Sequence, residues 1–238
     1  MKIIATDQVT AVAASSEDAA YPKENVQDNF RGVYWMSAVS AATTLTVDIS
    51  ANSNALMLSN MNSGTVGVEV KDSGAATIYG PTNHTINANN PNLWVNYTLQ
   101  ADVAQAILTF SDPGATYPYC GIVRAGYAYD FRNLRYGMSE GLRDLSVSKE
   151  YNNGANYYEF LGALRTFAGS FLVTRDSDFY TFMHGIVRKY GRGPYAMVLT
   201  DKTNYDWAIF GWLDASLPQG SHDYLDHSTI SLSITEGL

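Results

Sequence analysis

Leu45-Thr46-Val47-Asp48-Ile49 and Val66-Gly67-Val68-Glu69-Val70 each place an apolar residue at every second position. Side chains of an extended chain point alternately to opposite faces, so this period of two predicts strands with one face buried and one wet. Between them lies the short apolar run Ala55-Leu56-Met57-Leu58, closed by the turn-forming cluster Asn60-Met61-Asn62-Ser63-Gly64. Strands of this length, separated by Gly- and Asn-rich turns at short intervals, predict a β-sandwich or jelly roll.

Working outward, Lys71-Asp72-Ser73-Gly74 reads as a turn and Ala76-Thr77-Ile78-Tyr79 as a further strand. Residues 81–91, rich in Asn, Pro and Thr, are expected to form a long surface loop. Residues 93–99, 106–110 and 120–129 read as strands, with a turn at Ser111-Asp112-Pro113-Gly114. A second domain begins near Phe131 with a Gly- and polar-rich stretch, from Gly137-Met138-Ser139-Glu140-Gly141 to Asn152-Asn153-Gly154. Strands are expected at 163–174, 194–199, 206–213 and 228–235. One helix is expected at about 177–190, because Phe179, Phe182, Met183, Ile186, Val187 and Tyr190 form an apolar stripe at helical spacing. Asp176 or Ser177 would cap its start and Gly191 its end. The fold class is therefore mainly β: a sandwich over 1–130, then a small β-rich (α+β) domain over 131–238 with one amphipathic helix.

The chain carries 15 Lys and Arg against 23 Asp and Glu, a net charge of −8. Nucleic-acid and anionic-membrane contacts need a basic field, so neither partner is expected. No run approaches the length of a membrane span, and the first residues lack the apolar stretch of a signal peptide. Folding in a cytoplasm is the expectation. The single cysteine, Cys120, stands in an apolar strand context and reads as a small buried hydrophobe. Seventeen tyrosines suit half-buried sheet faces and interfaces, where the ring packs and the hydroxyl stays wet.

Chemistry-bearing patterns are few. Ser221-His222-Asp223-Tyr224-Leu225-Asp226-His227 holds two His and two Asp, but at no established metal-ligand spacing, and reads as a polar loop. His184 falls on the flank of the helical stripe. There is no Gly-x-Ser-x-Gly, and Gly191-Arg192-Gly193-Pro194 follows a helix rather than opening one, so it offers no phosphate cradle. No catalytic residue, cofactor or metal is assigned, and no enzymatic activity is expected. Tyr34, Trp35, Trp94, Tyr97, Trp207 and Trp212 are the candidate aromatics for a sugar-stacking platform; core or interface packing is the commoner fate of such rings in strands.

Two stretches resemble known families. Tyr21-Pro22-Lys23-Glu24-Asn25-Val26-Gln27-Asp28-Asn29-Phe30-Arg31-Gly32-Val33-Tyr34-Trp35, followed by Thr44-Leu45-Thr46-Val47-Asp48-Ile49, resembles the opening of a discoidin-like (F5/8 type C) jelly roll. In that family the Trp is structural, and the disulfide of its secreted members is absent here. Gly121-Ile122-Val123-Arg124-Ala125-Gly126, then Tyr136-Gly137, Asp144-Leu145-Ser146 and the terminal Ser231-Leu232-Ser233-Ile234-Thr235-Glu236, resembles bacteriophage tail proteins with a discoidin-like N-terminal half. The resemblance implies a virion component, a minor tail or baseplate subunit that assembles with other tail proteins as a homo-oligomer or ring. The alternative is a carbohydrate-binding module for a host-surface glycan, with Tyr34 and Trp35 as first contacts.

Overall fold

The computed structural model describes all residues except 31, 51, 89, 112–115, 132–137, 151–155, 160–161, 175–176, 201–206, 215–217, 223–225 and 238. The fold is mainly β, with one helix, as the alternation indicates. The strands are β1 Lys2–Ile4, β2 Val9–Ala14, β3 Trp35–Met36, β4 Thr43–Ile49, β5 Ser53–Met61, β6 Thr65–Asp72, β7 Thr77–Thr85, β8 Asn92–Gln100, β9 Val103–Ser111, β10 Tyr119–Gly126, β11 Ala128–Asp130, β12 Ser139–Asp144, β13 Val147–Glu150, β14 Asn156–Glu159, β15 Ala163–Thr174, β16 Tyr195–Val198, β17 Ala208–Leu213, β18 Gln219–Ser221 and β19 His227–Glu236. Two compact units form, Met1–Phe131 with Pro194–Phe210, and Arg132–Gly193 with Gly211–Leu238. The sequence reading had grouped 194–210 with the second domain.

In the first unit a five-stranded sheet, β2-β4-β9-β6-β7, faces a four-stranded sheet, β3-β10-β5-β8. The alternation at 45–49 and 66–70 works as expected: Leu45, Val47 and Ile49, and Val66, Val68 and Val70, point into one core with Leu56, Leu58, Val95, Leu108, Phe110 and Val123. Residues 55–58 do not alternate because both faces of β5 are covered. On the second face, Asn92 Nδ2 donates to Ala208 O at 3.0 Å, and the Arg124 guanidinium lies 5.2 Å from the Phe210 ring centre. The segment 194–210 therefore belongs here, although nothing local in its sequence says so.

Residues 81–91 are not one long loop. Residues 81–85 continue β7, paired with β6. β7 is an edge strand exposed over most of its length, so its composition is polar and shows no buried face.

In the second unit β15 pairs with β12 and β19, and β19 also takes β18 and residues 211–213 of β17. The helix spans 178–190. Its middle, Thr181–Val187, is π-helical, and Phe182, Ile186 and Val187 are its buried residues. The wider i→i+5 winding keeps these on one side, and Phe182 meets Phe171 of β15 edge-on at 5.2 Å. Gly191 ends the helix at φ +69, its N–H on Val187 O. Ser177 makes no side-chain cap bond to the helix backbone. Instead the Asp178 carboxylate accepts from the Thr174 amide and hydroxyl. Asp176, the other expected cap, lies outside the described residues.

β13 and β14 pair only with each other. Paired positions run Asp144↔Ala163 and then Val147↔Glu159, so two residues intervene on one strand and three on the other. Leu145 N–H reaches Gly162 O at 3.0 Å between these pairings, and Gly162 sits at φ +103, a conformation open to glycine. β12 pairs with β15 and β13 with β14, and this second ribbon carries the exposed Val147, Tyr157 and Tyr158.

Candidate functional site: a tyrosine group at one end of the sandwich

Antiparallel pairing gathers alternate connections at each end of the first unit. At one end the long 15–42 connection, the 62–64 turn, residues 86–91 and residues 116–118 come together, tied by Ile86 N–H to Gly64 O, Met61 N–H to Pro91 O and Ser37 N–H to Pro118 O.

There Tyr21 and Tyr34 stack with ring centres 4.7 Å apart and planes 10° apart. Tyr119, at the start of β10, tilts against Tyr34 at 5.1 Å. All are half-buried, and Tyr117, two residues before Tyr119 in the chain, is 48% exposed. The hydrogen bond from Tyr34 to Tyr21 holds the Tyr34 phenol above its ordinary pKa, with smaller contributions from partial desolvation and the neighbouring rings. Asn62 fixes the adjoining strand: its Oδ1 accepts from Tyr119 N–H at 2.8 Å, and its Nδ2 donates to Tyr117 O and Thr116 Oγ1 at 2.8 and 3.1 Å. Asn25 Nδ2 donates to Tyr34 O at 2.9 Å, tying the 3-10 turn Lys23–Gln27 to the stack. Carboxylates of Glu17, Asp18 and Glu24 lie on the same connection.

Tyr34 thus belongs to a surface group, but Trp35 does not. Its side chain is fully buried, its ring packs on Phe110 at 5.3 Å, and its indole N–H donates to Ser16 O. Adjacent strand residues point to opposite faces, so Tyr34 outward requires Trp35 inward. Tyr97 is also buried, its hydroxyl 2.5 Å from Ser53 Oγ. Trp94 is half-buried, its N–H on Asn96 Oδ1; Trp207 and Trp212 are half-buried as well. Tyr21, Tyr117 and Tyr119 escaped the sequence reading. The only signal was the overall tyrosine bias, since the three are brought together by strand pairing.

Elsewhere, His222 Nδ1 lies 2.7 Å from Ser228 Oγ. Ser228 is fully buried, so its hydroxyl is closed to a substrate and the pair is structural. His227 begins β19 and Asp226 is exposed; Asp223 lies outside the described residues. Among the described residues no three ligating side chains converge. His184 is exposed and stacks on Tyr180. Cys120 is buried with its thiol facing Ser59 O and Ile122 O, and burial pushes its pKa up to about 12. No described helix is long and apolar enough to cross a membrane.

No family model matches the chain, and no curated protein matches it. Solved structures similar to it include reduced XRCC1 bound to the DNA pol beta catalytic domain, at 14% identity over 51% of this chain and 97% of that one, TM-score 0.42. A family 32 carbohydrate-binding module from C. perfringens NanJ, in complex with galactose, gives 12% identity over 50% and 93%, TM-score 0.42. A pectin-binding carbohydrate-binding module gives 15% identity over 50% and 91%, TM-score 0.41.

Proposed function

We propose that the chain is a non-catalytic carbohydrate-binding protein that holds a neutral saccharide on the tyrosine group at the end of the first unit. The carrying observation is the Tyr21–Tyr34–Tyr119 arrangement, half-exposed and fixed by hydrogen bonds on loops. Sugar rings present C–H faces that pack on aromatic surfaces, and a pre-stacked tyrosine contributes that surface with little ordering entropy. Tyr34 lies between the Tyr21 and Tyr119 rings, so Tyr21 offers an outer face, and Tyr117, two residues before Tyr119 and exposed, adds a further ring. The net charge of −8 disfavours uronic and sialic acids. The test is calorimetric titration with neutral and acidic oligosaccharides. Tyr21→Ala and Tyr117→Ala are expected to weaken neutral-sugar binding about tenfold or more, the scale of one aromatic anchor, with an unchanged melting midpoint. Binding that ignores both substitutions contradicts the reading.

A second reading concerns assembly. The β13–β14 ribbon exposes Val147, Tyr157 and Tyr158, the last at 62%, and β12 exposes Leu142 at 74%. A two-stranded ribbon is marginal alone in water, which favours a subunit that docks through it, as in a virion tail built with other tail proteins or in a homo-oligomer. Light scattering on the purified chain, and mass spectrometry of purified virions, test this. A monomer absent from particles contradicts it.

A further inference from the structure

We propose that Arg124 is a built-in cation that holds the tyrosine-bearing connection in place, which makes it the positioning residue of the site; its bearing on sugar binding rests on the reading above. Arg124 is 5% exposed. Its Nη1 donates to Val26 O at 3.2 Å and Val123 O at 2.8 Å. Its Nη2 donates to Gln27 O at 3.1 Å, Asp28 O at 2.7 Å and Asn29 Oδ1 at 2.9 Å. Asp7 Oδ2 stands 3.5 Å from Nη1, while Asp7 Oδ1 accepts from the Val9 and Ala125 amides.

Consecutive carbonyls of 26–28 thus turn inward onto one guanidinium. Such convergence of oxygens is repulsive unless a cation sits among them. The planar fork of Arg reaches both rows of acceptors, which the point charge of Lys cannot do. From there the linkage is continuous: Val26 belongs to the 3-10 turn, whose Asn25 holds Tyr34 O. Phe210 closes the outer side of the guanidinium.

The experiment compares Arg124→Lys and Arg124→Ala with the unaltered chain by NMR, following the Tyr21 and Tyr34 ring resonances and amide exchange at 26–29, with sugar affinity measured alongside. In Arg124→Lys the ring resonances are expected to shift and exchange at 26–29 to accelerate about tenfold or more, while the Val66, Val68 and Val70 amides stay as they were. Millimolar methylguanidinium is expected to restore the ring resonances in Arg124→Ala. If that variant fails to fold, Asn29→Ala, which removes one exposed acceptor, must produce the same changes at smaller amplitude. Unchanged rings and unchanged exchange in Arg124→Lys overturn the proposal. The NMR readout needs no saccharide: rings that move in Arg124→Lys while the unaltered chain binds no sugar uphold the clamp and sink the sugar reading, whereas unchanged rings and exchange in Arg124→Lys while the unaltered chain binds sugar sink the clamp alone.

Discussion

At the scale of single residues, neighbours one position apart have opposite fates. Trp35 fills the sandwich core, so Trp35→Ala is expected to cost about 3–5 kcal/mol in urea unfolding; any loss of sugar binding it causes then tracks loss of fold. Cys120 and Tyr97 set an alkaline limit. Burial, the leading cause for both, raises Cys120 from 9.0 and Tyr97 from 10.0 to about 12. In the unfolded chain both ionise at their ordinary values, while the folded chain keeps them neutral. The unfolded state therefore holds fewer protons between pH 9 and 12, and stability falls as pH rises through that window. Denaturation midpoints measured from pH 8 to 11 check this; a flat profile contradicts it. Cys120→Ala and Tyr97→Phe are expected to flatten the fall. The burial of Cys120 was legible in its apolar strand context. The opposite orientations of Tyr34 and Trp35 follow from the period of two, but β3 covers only Trp35–Met36, too short for an alternation to stand out in sequence.

At the scale of elements, legibility followed one-sided burial. β4, β6, β15 and β19 show themselves because one face is dry, or nearly so. The edge strand β7 and the ribbon β13–β14 have water on both sides, so their composition resembles that of loops. The helix was readable from its stripe, whereas its π-helical middle was not, because Phe182, Ile186 and Val187 fit either winding. Gly162, at φ +103, presents its carbonyl to the Leu145 N–H between the β12–β15 and β13–β14 pairings. Gly162→Val is expected to strain this connection by on the order of 1–3 kcal/mol. Hydrogen exchange should then accelerate at 147–150 and 156–159 and stay unchanged at β19; equal exchange in both chains contradicts the assigned role of the glycine.

At the scale of the whole molecule, composition set limits and pairing made the site. The charge of −8 bears on the sign of a ligand and carries no information about where it binds. The return of 194–210 to the first unit, and the meeting of Tyr21, Tyr34 and Tyr119, are long-range events without a local sequence mark. Exposed or half-exposed tyrosines gather at two places among the described residues: the loop end of the first unit and the β13–β14 ribbon of the second. Replacing Val147, Tyr157 and Tyr158 together by Ser is expected to abolish any self-association seen by light scattering and leave sugar affinity unchanged.

The most direct examination of the tyrosine site is an NMR titration of the intact chain with neutral oligosaccharides, reading the Tyr21, Tyr34, Tyr117 and Tyr119 rings. Saturable shifts confined to these rings and their loop neighbours, absent in Tyr21→Ala, are the expected result. Shifts elsewhere, or none with any sugar, would contradict it.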